Sequence, residues 1–157
     1  RGVVERPHAT WPAAGHELPV KRGENVIGLF RVDFVGTMHV WGTLYSHDPD
    51  MRLDIGDHVI VPIQFPERPP RNYPVALVPA RVIYHFPAGH AYWAFINRGA
   101  VDGLVGAAAG SVSMHRKPIG DFKVIYAGEY YSYGLFSPYE RGSEHDFQKL
   151  EIQFPQN

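Results

Sequence analysis

Phe86-Pro87-Ala88-Gly89-His90-Ala91-Tyr92 is the stretch on which the fold turns. It joins two apolar runs, Ala80-Arg81-Val82-Ile83-Tyr84-His85 before it and Trp93-Ala94-Phe95-Ile96-Asn97 after it. Proline fixes one backbone angle and glycine admits a positive one, so the chain is expected to reverse here between two antiparallel strands. The same grammar extends in both directions. Val26 to Phe34 and Thr37 to Leu44 form a second expected hairpin about Val35-Gly36. His58 to Phe65, rich in Val and Ile, reads as a strand after the turn Asp54-Ile55-Gly56-Asp57. Val75–Val78 and Arg81–His85 read as strands broken at Pro79. Phe122–Tyr126 and Tyr130–Phe136 pair about Ala127-Gly128, and Phe147–Phe154 alternates apolar Leu150, Ile152 and Phe154 with polar Lys149, Glu151 and Gln153.

Between these strands the chain is richly punctuated, with 16 glycines and 14 prolines. Val101 to Gly110 is the only segment expected to be helical. Its glycines at 103, 106 and 110 leave a glycine-rich loop as the alternative. Pro66-Glu67-Arg68-Pro69-Pro70-Arg71-Asn72-Tyr73-Pro74 reads as an extended, polyproline-like surface loop. Residues 1–24 show little periodicity and are expected to be an extended arm that packs through Trp11, with residues 25–157 as one β-rich globular domain. The expected class is mainly β: an antiparallel barrel or sandwich with long loops and at most one short helix.

Bulk composition narrows the function. A chain of 157 residues, 45% hydrophobic and 20% charged, can bury a real core. Its 15 basic residues nearly balance its 16 acidic ones, so it has neither the basic excess nor the basic stripe of a nucleic-acid binder. Arg68, Arg71 and Arg81 are read as solvated loop residues. No cysteine is present, which excludes thiol catalysis, disulfide scaffolding and Cys-ligated zinc. No apolar run reaches the length of a membrane span. The opening Arg1-Gly2-Val3-Val4-Glu5 carries neither an initiator methionine nor a signal peptide, so a piece of a longer polypeptide is expected.

Three constellations could carry chemistry. Nine histidines are many for this length, and His39, His47, His58, His85 and His90 sit on or near strands with Asp48 and Asp50 close in sequence. Their spacing matches no metal loop, and neither a metal nor any other cofactor is expected. Ser46-His47-Asp48 has the residue types of a hydrolytic triad. Adjacent residues of an extended chain point to opposite sides, so a triad would need Asp48 to meet distant partners such as Ser111 or Ser113 and His115. No Gly-x-Ser-x-Gly elbow occurs. Tyr126, Tyr130, Tyr131, Tyr133 and Tyr139 offer rings for a sugar or protein partner, with Tyr130, Tyr131 and Tyr133 as the candidate binding residues. Ordinary packing on a half-buried sheet is the other reading of the same rings.

The order of motifs from residue 27 to 97 resembles the protruding domain of iflavirus capsid proteins, of the honeybee deformed wing virus kind. The matching pieces are Ile27-Gly28-Leu29-Phe30, then Trp41-Gly42-Thr43 followed by Asp48. Ile55-Gly56-Asp57 leads into Val59-Ile60-Val61, and Phe86-Pro87-Ala88-Gly89-His90-Ala91-Tyr92 with Ile96 completes the series. The resemblance implies a β-rich module on the virion surface that acts in host attachment or entry. Its partners would be a host receptor or glycan and other capsid proteins. It also implies an Asp-His-Ser catalytic set whose aspartate falls on Asp48. The places of the histidine and serine hold Arg31 and Val32, which are neither a neutral base nor a nucleophile. His39 is the nearest substitute. An esterase-like hydrolase is therefore kept as an alternative. Pro87-Ala88-Gly89-His90 with Asn97 is also similar to the second cupin motif. The immediate Gly-His contact and the lack of any His-x-His pair leave only a metal-free, carbohydrate-binding β module open.

Overall fold

The computed structural model describes residues 2–5, 14–61, 78–141 and 144–155. The expected mainly β, antiparallel class is what the chain adopts, with each of two sheets curled into a half-barrel. The chain divides into two compact units, Arg1–Val61 and Pro62–Asn157. The first holds β1 (Gly2–Glu5), β2 (Glu17–Arg22), β3 (Asn25–Val35), β4 (His39–Tyr45) and β5 (His58–Val59), in the sheet order β1-β4-β3-β2-β5. The second holds β6 (Val82–Ala88), β7 (Ala91–Ile96), β8 (Ala109–Met114), β9 (Lys117–Ala127), β10 (Ser132–Pro138) and β11 (Leu150–Gln153), in the order β11-β8-β9-β10-β7-β6. Every ladder is antiparallel.

The deciding hairpin forms as expected. Ala88 faces Ala91 across the turn, and Gly89 takes φ 67° as the first central residue. That sign matches the right-handed twist of the flanking strands. A second tight turn was not foreseen: His115 and Arg116, at φ 52° and 66°, join β8 to β9. Two consecutive positive φ values again suit a two-residue hairpin loop.

Three expectations are corrected. The described part of residues 1–24 is not an appended arm, because β1 and β2 supply two of the five strands of their sheet. Trp11 lies outside the described residues, as do the Pro66–Pro74 loop and residues 62–65 and 75–77 of the expected strands. Val101–Gly110 is not a helix. It begins in a single 3-10 turn, Ala100–Asp102, and Gly103 then turns the chain at φ 91°. Further on, the Ala107 amide and the Ala108 carbonyl pair sideways rather than along a helix axis: Ala107 N donates to Val124 O (3.0 Å), and Ala108 O accepts from Val124 N (2.8 Å). A neighbouring strand offered these groups partners, and the glycines made helix costly. The last strand is shorter than expected. Phe147–Lys149 form a 3-10 turn capped by the Asp146 carboxylate, and β11 starts at Leu150.

Alternation builds the core of the second unit. Val112 on β8, Phe122 and Val124 on β9, Phe136 on β10 and Ile152 on β11 share one face and are buried. Glycines stand on that same face where aromatic rings need room. A Cβ built on Gly134 would lie 2.7 Å from Phe122 Cζ, and one on Gly120 would lie 2.5 Å from Phe136 Cε2. Replacing Gly134 by Ala is expected to cost about 2 kcal/mol or more by overpacking. Urea unfolding of the two proteins measures the difference, and an unchanged midpoint would contradict it.

Candidate functional site

Within the first unit the candidate catalytic residues are not brought together. Ser46 Oγ donates to the backbone carbonyl of Ile27 and accepts from Asp48 N (3.2 Å). The hydroxyl pins the end of β4 to β3. Asp48 Oδ1 accepts from Asp50 N (2.9 Å), and Asp48 O accepts from Met51 N (3.1 Å). This is a self-closing Asx turn, the common use of a short carboxylate in a loop. Arg31 stands directly across from Thr43, while Val32 is buried at 1% exposure facing the other way. His39 opens β4 and Asp48 lies beyond its far end, so roughly 20 Å of strand separates the region of one from the other. Ser111, Ser113 and His115 belong to the second unit.

The rest of this loop is tied to β2 by charge. Arg22 Nε reaches Asp57 Oδ1 at 2.7 Å, and Arg22 Nη2 reaches Asp57 Oδ2 and Arg52 O, each at 2.8 Å. The hydrogen bond from Arg22 holds the Asp57 carboxyl below its ordinary range. Asp57 also accepts from Asp54 N (2.8 Å), which closes the Ile55-Gly56 turn.

The tyrosines divide. Tyr133 is fully buried and Tyr131 is 5% exposed, so neither presents a ring face to a ligand, which corrects their candidacy. Tyr133 lies 6.1 Å from Trp93 and 5.9 Å from Tyr126, and Tyr131 lies 5.4 Å from Phe95. They are packing residues on β10 and just before it. Tyr130 is half-buried. Of the five candidates, Tyr139 stands furthest out, at 59% exposure.

The histidines also separate. Among the described residues no group of His, Asp and Glu has the arrangement to hold a metal ion. His85 instead stacks on Phe147, with ring centres 3.5 Å apart and planes within 6°. Tyr92, Phe136 and His145 complete that aromatic cluster: Tyr92 lies 5.0 Å from Phe147, and His145 lies 5.4 Å from Phe136.

What the first unit does present is an aromatic platform that the sequence did not reveal. Trp41 is opposite Val3 on β1 and Phe34 on β3, so the three form one row across three strands. Phe34 is 57% and Val3 54% exposed, and Met38 in the turn is 71% exposed. The Trp41 ring lies 5.4 Å from Phe34 and 6.1 Å from His39. It also covers Gly36, where a Cβ would meet the indole at 2.7 Å. A bulge makes the row. The register shifts between Val32 and Phe34, leaving Asp33 as the extra residue. Thr43 Oγ1 donates to Asp33 Oδ2 (3.0 Å) and fixes it there. Without the bulge Phe34 would follow Phe30 and Val32 inward; with it, Phe34 faces out. The available signal was Met38 in the Gly36-Thr37-Met38 turn, an apolar residue where a turn favours polar ones.

Arg98 is a second residue that the sequence did not single out. It is 1% exposed and donates to the carbonyls of Asn97 (3.2 Å) and Pro79 (3.1 Å), and its own carbonyl accepts from Ser132 Oγ (2.7 Å). It is a structural cation that joins the approach to β6 with the ends of β7 and β10.

Comparison of the chain with protein-family models, with curated proteins and with solved structures gave no match. No helix among the described residues is long and apolar enough to cross a membrane.

Two outcomes test these assignments. His16 and His85 are both held below the ordinary imidazole value of 6.5 by loss of water around the ring. The unfolded chain therefore binds protons that the folded chain refuses, so their share of stability is complete above that value and falls as pH drops through it. Thermal unfolding between neutral pH and pH about 5 should follow that sign, and His85→Phe should flatten the dependence. Ser46→Ala should lower stability by about 1 kcal/mol without altering any ester turnover. A serine-directed fluorophosphonate that labels Ser46 would contradict the structural role.

Proposed function

We propose that this chain is an attachment module: a β-rich protruding domain of a viral capsid protein, displayed on the virion, that engages a host-cell surface protein. The observation that carries the reading is the row Val3–Trp41–Phe34 with Met38 beside it, an exposed apolar and aromatic surface held on rigid strands. Surfaces rich in Trp, Phe and Met are the ones that supply binding energy in protein recognition. Asp33, Thr43 and Arg31 give the row a polar margin, the usual frame of such a surface. Further support comes from the colinear resemblance to iflavirus protruding domains, whose Trp-Gly motif falls on Trp41-Gly42 at the centre of this row. The hydrolase alternative has less support, because Ser46 and Asp48 are both engaged in holding their own loop.

The test is binding of the labelled domain to cultured insect cells, with competition against infection where a permissive line exists. Saturable binding is expected, and Trp41→Ala with Phe34→Ala should weaken it roughly tenfold or more. Binding that does not saturate, or a double variant that binds like the parent, would overturn the proposal.

A further inference from the structure

The second unit carries a different kind of surface, on the outward face of its sheet. Gln153 on β11 is directly opposite Ser111 on β8, Ser111 is opposite Asp121 on β9, and Asp121 is opposite Ser137 on β10. Directly opposed residues of antiparallel strands share a face with Cβ atoms about 5 Å apart, so these side chains form one row roughly 15 Å long across four strands. Ala109 and Lys123, opposite each other and two residues from Ser111 and Asp121, form the next row on the same face.

This is not an ordinary wet face. Solvated sheet faces are covered by long charged side chains, whereas here the centre of the row is Ser111, Asp121 and Ser137, with Ala109 adjacent. Short side chains at the centre and Lys123, Gln153 and Pro155 at the margin leave a shallow, open groove of about 550 Å³. Sites for small ligands are concavities of this order.

We propose that this groove binds a neutral sugar residue of a glycan. Four side chains of the groove offer hydrogen bonds of every kind. The serine hydroxyls donate and accept, Asp121 accepts and Lys123 donates, while Gln153 at the margin already gives its Nε2 to Phe154 O (3.4 Å). Neighbouring hydroxyls of a sugar require that mixture within a short span. Asp121 is already oriented, because Tyr139 Oη donates to its Oδ1 at 3.0 Å. An ionised carboxylate has about four acceptor positions, so this bond fixes the group without exhausting it. Tyr139, 59% exposed, acts here through that bond and does not itself line the groove.

Charge and backbone decide against other ligands. Asp121 and Lys123 are two apart on one face of β9, so their charges offset each other and an anionic ligand gains little. A peptide would need an open strand edge, and β8 and β9 are paired on both sides. Side chains alone are on offer, which suits a ligand made of hydroxyls.

The site goes beyond the attachment reading, since it lies in the second unit and stands on its own geometry. The experiment is a glycan array probed with the whole chain, followed by amide-shift titration with the best neutral oligosaccharide. Expected are saturable binding and shift changes centred on Ser111, Asp121, Ser137 and Gln153. Asp121→Asn should weaken binding roughly tenfold, and Ser111→Arg, which fills the groove, should abolish it with an unchanged unfolding temperature. Trp41→Ala should bind sugar like the parent. No binding by any neutral glycan, shifts centred elsewhere, or a Ser111→Arg variant that binds normally would overturn the proposal. Cell attachment without sugar binding would count against the groove alone, and sugar binding without cell attachment against the attachment reading alone.

Discussion

Aromatic rings laid over cross-strand glycines are the constraint on which both sheets depend. In the first unit a Cβ on Gly42 would lie 2.6 Å from Phe30 Cζ; in the second, one on Gly134 would lie 2.7 Å from Phe122 Cζ and one on Gly120 2.5 Å from Phe136 Cε2. Glycine is ordinarily poor in a strand, because it has no side chain to pack and loses the most backbone freedom. Here the neighbouring strand lends its ring to the vacant place. Phe30, Phe122 and Phe136 are each almost wholly buried as a result. The exchange also permits strong curvature, since a glycine beneath a ring is where a sheet can bend without leaving a void.

With the interior arranged in this way, the polar residues that resemble catalytic groups serve the loops. Ser46 bonds a backbone carbonyl of β3, Asp48 closes its own turn, and Asp57 clasps Arg22 while accepting from Asp54 N. Each satisfies a backbone group that no ladder reaches. Arg98 does the same below the surface, with its guanidinium on the carbonyls of Asn97 and Pro79. These side chains hold backbone groups in place, and that is the role their hydrogen bonds give them in the fold.

The two proposed recognition surfaces differ in kind. The Val3–Trp41–Phe34 row is apolar, with energy to gain from excluding water. The Gln153–Ser111–Asp121–Ser137 row is polar and concave, with specificity to gain from directed hydrogen bonds. Both lie across several strands rather than in a single loop, so each is positioned by ladder register. A rigid origin keeps the ordering cost of binding low.

Local signals made much of the fold legible. Pro-x-Gly at 87–89 marked the β6–β7 hairpin, β-branched and aromatic runs marked β3, β4, β7 and β10, and alternation at Leu150, Ile152 and Phe154 marked β11. All of these depend on a residue and its near neighbours. What remained hidden depends on distant partners. Residues 17–22, with proline and glycine nearby, become a strand because β3 and β5 flank them. Ala109–Met114 does so because β9 and β11 receive it. The candidate sites follow the same division. Asp48 and the tyrosines could be found as residue types, but only packing decided that Asp48 would close a turn and that Tyr131 and Tyr133 would be buried. Phe30, Val32 and Phe34 alternate as if all faced inward, and one extra residue at Asp33 turns Phe34 to the outside. Sequence determined those strands whose own residues carry the pattern, and what chemistry they bear. Tertiary structure decided which face each side chain took, because facing is set by register with a partner strand that no local pattern specifies.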